Sequence, residues 1–212
     1  YQLRIFTSGG ETMTDIVAYA LLWLSFAIVH SALTFFSVKS RLAPVFGSAY
    51  RLSYNLFSAL HIGAVFLLGK WLLSDHGHTF ALADSIRVLL QVLTWGGVIV
   101  MAISLRQYDL GRFSGLSQLR KDYQETDHEP LNTKGMNRWV RHPLYTGAFM
   151  YLWGNAQSSF GFWTAVFASI YLIIGARYEE RKLVDMYGDD YRRYKANVPA
   201  FFPWRYRQIT SD

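Results

Sequence analysis

The stretch 138–147 contains the side chains of this sequence that are best suited to chemistry. It lies between a basic polar segment and an apolar run that has no charged side chain before Arg177. Pro143 can begin a helix, because the N–H that proline lacks would have no partner at that position. The N–H groups that follow are also unpaired within a helix, and they lie at the positive end of its dipole. With Arg141 and His142 beside it, this helix start suits an anion or a carboxylate at a membrane surface, and we predict a cofactor site here.

More charged side chains follow that apolar run. Arg177, Glu179 and Glu180 continue its helix, and a carboxylate at the membrane boundary is unfavourable unless it has a partner or a function. Adjacent residues of a helix point about 100° apart, so only one of the two glutamates is expected to face a given site. The alternative is a solvated helix with surface ion pairs, in which Arg177 and Glu180 are close enough in sequence to pair. Gly188 ends this helix, and Tyr194 lies on a further one.

The histidines also have structural interpretations. His142 could cap its helix or anchor it at the lipid headgroups, but its place between Arg141 and a proline favours ligand binding. His30 and His61 lie in or near apolar runs, where a single histidine is more often a packed, hydrogen-bonded residue than a ligand. They are expected at different depths of the membrane, which disfavours a haem group held by both.

Composition and motifs exclude several classes of site. The 212 residues contain no cysteine, so disulfides, thiolate metal sites and cysteine nucleophiles are excluded, and we predict no metal site. The glycine-rich nucleotide loops, the His-Glu-x-x-His motif and the Gly-x-Ser-x-Gly motif of soluble enzymes are absent. The net charge of +6 would suit a nucleic-acid binder, but the basic residues lie beside apolar runs and no nucleic-acid motif occurs. We therefore expect no nucleic-acid partner.

The apolar runs predict a membrane protein with a single domain. The sequence is 51% hydrophobic, and several runs approach the ~20 apolar residues that cross a bilayer. We predict an all-α, polytopic integral membrane protein whose five transmembrane helices lie at about 16–36, 52–73, 88–105, 143–159 and 160–176. The last two would form a helical hairpin around the polar turn 155–161, and the tail from Arg177 a cytoplasmic helical cap. We expect 1–12 to be an artificial remnant or disordered, so that the domain comprises 13–212.

The distribution of basic residues predicts the orientation. The loops after the first and third predicted spans and the tail are rich in Lys and Arg, whereas 74–85 and the hairpin turn contain neither. Because Lys and Arg favour the cytoplasmic side, we predict a multi-pass protein of the bacterial inner membrane with its N-terminus outside. The C-terminus and the 138–147 stretch would then share the cytoplasmic face. The sequence gives no oligomeric state.

Four blocks in the last third of the chain carry a resemblance to a known superfamily. In order, these blocks are 141–147, 179–183, 187–194 and 198–203. They resemble the isoprenylcysteine carboxyl methyltransferase and phospholipid methyltransferase superfamily, whose members are integral membrane enzymes. The first two thirds resemble, more loosely, the NnrU-like proteins and the methanethiol S-methyltransferases, through His30–Ser31, 50–54 and 108–116.

The resemblance implies a pocket for S-adenosylmethionine at the cytoplasmic face. It implies that His142 and Tyr145 contact this cofactor, and that Glu180 binds it or orients the methyl acceptor. The other residues that the resemblance places in the cofactor site or in catalysis are Gly135, Val140, Arg141, Pro143, Gly147, Arg177 and Tyr194.

The implied activity is transfer of a methyl group to a small or lipophilic acceptor, and a thiol is favoured over a prenylated protein. A thiol would have to lose its proton, because the thiolate is the nucleophile. A positive group lowers the pKa of a thiol, and Arg51, Arg141 or the sulfonium of the cofactor could serve. His30 is the residue that we expect to take the proton.

Two other functions remain open from the sequence. Membrane sterol reductases, which use NADPH, share a similar Arg-His-x-x-Tyr block and a charged tail. They are usually longer and tend to have an aspartate after the glycine that corresponds to Gly147, where this chain has Ala148. The third interpretation is a non-enzymatic NnrU-like factor of nitrogen-oxide metabolism.

Overall fold

The protein is described by a computed structural model over residues 12–34, 36–73, 79–120 and 130–204. Within these residues the regular elements are helices, and no strand occurs apart from a single bridge between Thr79 and Ser158. The predicted all-α class is therefore confirmed. The prediction that residues 1–12 are an artificial remnant or disordered falls mostly on residues 1–11, which lie outside the described residues.

Eight α-helices and three short 3₁₀ helices follow one another along the described residues. The α-helices are α1 (Met13–Thr34), α2 (Phe36–Phe46), α3 (Tyr50–Leu73), α4 (Asp84–Leu105), α5 (Leu110–Ser114), α6 (Pro143–Gly154), α7 (Ser159–Tyr187) and α8 (Asp189–Asn197). The 3₁₀ helices are Gly47–Ala49, Ser117–Leu119 and Gly135–Arg138.

Four helical runs are long and apolar enough to cross a membrane. The first is α1, and the second is the run Val38–Leu73, which contains α3. The third and fourth are α4 and α7. Their large apolar side chains are mostly exposed, as Leu67 on α3 shows with 72% of its surface accessible. Such surfaces are unfavourable in water and suit lipid, so the chain is an integral membrane protein.

Helix α6 differs from these four in length. It has 12 residues, which at a rise of 1.5 Å per residue make about 18 Å, less than the ~30 Å of a hydrocarbon core. Helix α7, in contrast, continues past the predicted end of its span at Ala176 as far as Tyr187. The five-span count, the hairpin and the helical cap stay predictions.

The chain divides into two compact units. The first unit comprises Tyr1–Leu82, Asp109–Tyr123 and Ala156–Phe167, and the second comprises Ala83–Tyr108, Gln124–Asn155 and Ala168–Asp212. Each unit therefore collects segments that are far apart in the sequence.

The first unit is built on the packing of α1 against α3. Tyr19, Trp23 and Phe26 lie on one face of α1 and are buried, as their helical spacing requires. The Tyr19 ring covers Gly69 of α3, where any side chain would overlap it. The Tyr19 hydroxyl is 2.7 Å from Oγ1 of Thr164, so this buried polar atom is satisfied.

The second unit depends on a close approach of α4 and α6. A Cβ on Gly97 would lie 2.5 Å from the backbone nitrogen of Tyr151 and 2.6 Å from the carbonyl oxygen of Gly147. A Cβ on Gly154 would likewise meet the backbone of Thr94 at 2.6 Å. Small residues let two helix backbones touch, and without them these helices would have to separate.

The contact at Gly97 makes a prediction for stability. Gly97→Ala should destabilise the protein by about 1–3 kcal/mol, because the added methyl group overpacks a backbone contact that cannot relax alone. Gly175→Ala on α7 is the matched control, since nothing lies within 4 Å of its Cβ position. Thermal unfolding in detergent should show a clear loss for the first variant and little change for the second. Equal melting temperatures would contradict the packing described here.

Candidate functional site

The C-terminal segment, residues 189–202, is paired with the residues that begin α6. Gly188 has a φ of +57°, which a glycine adopts without strain, and it lets the chain turn from α7 into α8. After α8, the carbonyl of Pro199 accepts a hydrogen bond from the backbone N–H of Arg141 at 2.9 Å. The N–H of His142 donates to the carbonyl of Ala200 at 3.0 Å. Two sequence blocks separated by more than fifty residues are thereby joined.

Glu180 lies at the centre of this junction. Its side chain is only 8% exposed, and its Oε1 accepts from Nε of Arg141 at 2.7 Å and from Nε2 of His142 at 3.1 Å. Its Oε2 is 2.8 Å from Nζ of Lys195 on α8. Both oxygens of the carboxylate are therefore occupied by basic side chains of the protein.

The charge of Glu180 is stabilised by these partners. Glu180 lies four residues beyond Ala176, the last residue of the uncharged apolar part of α7, in the charged part of the helix that begins at Arg177. Burial alone would raise the pKa of its carboxyl group, but the hydrogen bonds from His142, Lys195 and Arg141 outweigh burial and lower the pKa to about 2. The carboxylate is therefore ionised at neutral pH, and the Nε2 of His142 carries the proton of their hydrogen bond.

Arg141 connects Glu180 to the end of α8. While its Nε and one terminal nitrogen bind the carboxylate, the other terminal nitrogen donates to the carbonyls of Lys195 and Val198. The planar guanidinium presents its donors in a fixed fork, so one side chain sets the direction of both contacts. Arg141 is thus committed to contacts within the protein.

His142 lies between the two glutamates and against Tyr145. Its ring is stacked on that of Tyr145, with 5.4 Å between the centroids and 11° between the planes. Its Nδ1 is 3.7 Å from Oε2 of Glu179, and the hydroxyl of Tyr145 donates to the same oxygen at 3.2 Å. The side chain of Glu179 is 47% exposed. The adjacent glutamates therefore have different surroundings, one buried among basic groups and one half exposed beside a tyrosine.

A small core holds α8 in place. Tyr191, Tyr194 and Val198 are buried together, packed against Leu183 and neighbouring apolar side chains. Burial raises the pKa of both tyrosine hydroxyls above their usual value, so they stay protonated. The hydroxyl of Tyr194 donates to the carbonyl of Asn137 at 2.5 Å, and this bond fixes α8 against the segment before α6.

The other site residues predicted in the second unit differ in how far they are buried and in what they contact. Val140 and Pro143 are buried, and Pro143 is the first residue of α6, as predicted for a helix start. Gly135 has a φ of +60°, and a Cβ there would lie 2.8 Å from Nε2 of Gln107. Gly147 packs on α4. Arg177 is exposed, and within the described residues it forms no ion pair.

His30 lies in the first unit, on α1. Its Nε2 is 2.5 Å from the hydroxyl of Tyr54 on α3, and its ring packs on Phe26. Phe26 also packs on His61, whose Nε2 is 3.3 Å from Oγ of Ser25. The two histidines are thus hydrogen-bonded residues of the α1–α3 packing. Among the described residues, no group of three or more potential ligand side chains could hold a metal ion.

Two residues of these clusters were not predicted from the sequence. Tyr54 was quoted only as part of the block 50–54, and nothing in that pattern pairs it with His30. Lys195 is one of several basic residues of the tail, and its contact with Glu180 depends on how α8 folds back after Gly188. Helical spacing could have placed Lys195 on the face of α8 that carries Tyr191, but not against a carboxylate of another helix.

The chain is similar to bacterial proteins named methanethiol S-methyltransferase. It is 31% identical to the one from Crocosphaera subtropica over 192 residues, which cover 84% of this chain and 71% of the relative. It is 29% identical to the one from Pseudomonas deceptionensis over 206 residues, covering 92% of this chain and 75% of the relative. Methanethiol S-methyltransferase 1 of Bradyrhizobium diazoefficiens is 26% identical over 210 residues, 93% of this chain and 71% of its own length. No protein-family model matches the chain, and no solved structure matches it significantly.

The junction makes a prediction for the C-terminal segment. Arg141→Gln should release residues 189–202, because loss of one partner of a buried ion pair costs about 3–5 kcal/mol. Hydrogen exchange of the backbone amides in this segment should become much faster.

Arg192→Gln is the matched control for this variant. It removes the ion pair of Arg192 with Asp189, which is 2.7 Å long but more than half exposed, and exposed pairs contribute about 0–1 kcal/mol. Unchanged exchange in the Arg141 variant, or the same change in both variants, would show that the buried pair does not hold the segment.

Proposed function

Because the chain belongs to the family of the methanethiol S-methyltransferases, we propose that it is a membrane methyltransferase that transfers a methyl group from S-adenosylmethionine to a small thiol. The observation that carries this proposal is the junction itself. The block 141–147 and the paired glutamates, more than thirty residues apart, meet at Glu180. If both parts of the sequence bind one cofactor, they have to lie next to each other in the fold.

The residues of the junction fit S-adenosylmethionine. No side chain caps the start of α6, so its positive end is available to a carboxylate. The half-exposed carboxylate of Glu179 and the hydroxyl of Tyr145 lie beside it and suit positive charge. A ligand with a carboxylate, an ammonium and a sulfonium therefore has complementary groups here. We assign Tyr145 and the helix start to the cofactor site.

Glu180 and its partners have a supporting part in this proposal. Both oxygens of Glu180 are occupied by Arg141, His142 and Lys195. We therefore propose that this carboxylate holds these residues in position around the cofactor and does not itself bind it. Pro143, Val140 and Gly135 shape the backbone around it, and Tyr194 fixes α8. The exposed position of Arg177 adds no contact that supports a part in catalysis.

The chemistry asked of the protein is modest. S-Adenosylmethionine, when bound, supplies a methyl group already activated on a sulfonium. The protein has to bind and orient both reactants and exclude water. It also has to help a thiol lose its proton, and we propose His30, hydrogen-bonded to Tyr54, as the group that takes it.

The proposed arrangement in the membrane has five spans, with the N-terminus outside and the junction in the cytoplasm. It rests on the alternation of basic and non-basic loops. Helix α6 is short for a span, so residues 155–158 after it would complete the crossing before α7 begins.

Labelled-methyl transfer in proteoliposomes tests the activity. We expect transfer from S-adenosylmethionine to methanethiol and other small thiols, and none to prenylcysteine analogues or to phosphatidylethanolamine. His142→Ala should lower the rate at least tenfold because it removes both the stacking partner of Tyr145 and one donor to Glu180. No transfer to any acceptor, together with binding of NADPH, would contradict the proposal.

The same assay tests His30. His30→Ala should slow transfer to a thiol, and the loss should shrink as the pH rises and the thiol ionises without help. Full rate in this variant at neutral pH would remove His30 from the mechanism while leaving the proposed activity in place.

Single cysteines test the proposed topology, since the 212 residues contain none. In intact cells an impermeant maleimide should label Ala81→Cys in the second loop and Gln157→Cys between α6 and α7. Ser48→Cys in the first loop should be labelled only after the membrane is opened. Labelling of the Gln157 variant from the cytoplasmic side would mean that α6 does not cross.

A further inference from the structure

His30 is already engaged by a tyrosine of the neighbouring helix. Its Nε2 lies 2.5 Å from the hydroxyl of Tyr54, and both residues belong to the first unit. They are carried by α1 and α3, which lie in runs that are long and apolar enough to cross a membrane. Each nitrogen of an imidazole ring takes part in one hydrogen bond, so the Tyr54 hydroxyl occupies this one. A thiol therefore cannot pass its proton to Nε2 directly.

Ring packing holds this pair together. The centroid of the His30 ring lies 5.2 Å from that of Tyr54 and 5.3 Å from that of Phe26. Phe26 is buried, whereas His30 and Tyr54 are only half-buried. The tyrosine hydroxyl is thus held against the imidazole, while the pair itself is not enclosed by the protein.

A second tyrosine makes a purely structural contact between the same helices. Tyr50 lies one turn before Tyr54 on α3, and its hydroxyl donates to the carbonyl of Leu33 on α1 at 2.7 Å. A backbone carbonyl accepts this hydrogen bond but does not take the proton. An imidazole nitrogen can do both, so of these two tyrosines only Tyr54 is bonded to a base.

We propose that Tyr54 relays the proton of the thiol to His30 and is therefore the residue that contacts the acceptor. This inference rests on the proposed function. The S–H bond of the thiol breaks and its proton moves to the Tyr54 oxygen, while the Tyr54 proton moves to Nε2 of His30. The electron pair left on the thiol sulfur forms the bond to the methyl carbon, and the pair of the broken carbon–sulfur bond stays with the donor. Tyr54 ends neutral, and His30 holds the proton until it is released to water.

A tyrosine suits this position for two reasons. Its hydroxyl can accept the thiol proton while it donates its own, so the proton leaves the sulfur along a chain of hydrogen bonds. No unpaired thiolate then has to form in an apolar setting, where such a charge is strongly unfavourable. Sulfur also packs favourably against aromatic rings, which Tyr54 and Phe26 provide.

Labelled-methyl transfer by the full chain in proteoliposomes tests the relay with two small thiols. Ethanethiol needs a base, whereas trifluoroethanethiol is more acidic and largely ionised in mildly alkaline buffer. Tyr54→Phe removes the hydroxyl and keeps the ring. Tyr50→Phe is the matched control, because it removes one hydrogen bond between the same two helices and leaves the bond between Tyr54 and His30 in place.

We expect Tyr54→Phe to lower the rate with ethanethiol at least tenfold, as His30→Ala does, because proton transfer by a positioned group contributes about 10²–10⁴-fold. With trifluoroethanethiol the same variant should lose less than threefold. Tyr50→Phe should change both rates by the same small factor.

Two results of this assay would overturn the relay alone. Equal losses with both thiols in Tyr54→Phe would mean that its hydroxyl only supports the packing. A full rate in Tyr54→Phe beside a slow His30→Ala would mean that the thiol reaches His30 unaided. If His30→Ala is fully active, the base lies elsewhere, and the relay falls while the proposed activity stands. If the unsubstituted protein transfers a methyl group to neither thiol, the proposed function fails and the relay with it.

A measurement that needs no activity decides the case in which Tyr54→Phe does not fold. Nitrogen NMR of the ligand-free protein at mildly alkaline pH, with His30→Gln to identify the signals, reports which ring nitrogen of His30 carries the proton. The relay requires Tyr54 to donate to Nε2, so Nε2 should be unprotonated and hydrogen-bonded. A proton on Nε2 would overturn the inference, because this nitrogen would then have no lone pair for the tyrosine proton.

Discussion

The buried carboxylate of Glu180, shared by three basic side chains, is the interaction on which the rest of the second unit depends. Transfer of an unpaired carboxylate out of water is strongly unfavourable, so Glu180 can occupy this position only with its partners in place. Those partners come from the residues before α6 and from α8. The requirement to pair one charge thus joins three parts of the chain.

The same pairing explains why the C-terminal segment follows a fixed path. Arg141 binds Glu180 with one side of its guanidinium and two carbonyls at the end of α8 with the other. Pro199 and Ala200, which follow α8, then accept hydrogen bonds from the backbone of Arg141 and His142. Near the end of the segment, the ring of Phe201 packs against the rings of His142 and Phe149.

Much of this arrangement follows from local sequence, and the rest depends on long-range contacts. The helix start at Pro143, the turn at Gly188 and the long apolar helices each follow from a short pattern of residue types. The pairing of Lys195 with Glu180 and the position of Gly147 against α4 do not, because each needs the relative placement of two helices. The helix that begins at Pro143 ends at Gly154 and not at 159, because the mostly polar residues 155–158 form the connection to α7.

The two adjacent glutamates point to different surroundings. The carboxylate of Glu180 faces the basic side chains of the junction, whereas that of Glu179 is half exposed beside Tyr145. Neighbouring residues of a helix point in different directions, so a pair of glutamates can stabilise the frame and present a charge at the same time. A single acidic residue could not do both.

A double-mutant cycle between Arg141 and Glu180 tests this account most directly. The free energy of opening of the C-terminal segment, taken from hydrogen exchange, would be compared for Arg141→Gln, Glu180→Gln and the double variant. Residues that share a buried pair show coupling energies of about 0.5–3 kcal/mol, so the double variant should lose clearly less than the sum of the single losses. Strictly additive losses would contradict the account, because they would mean that the arginine and the glutamate act independently.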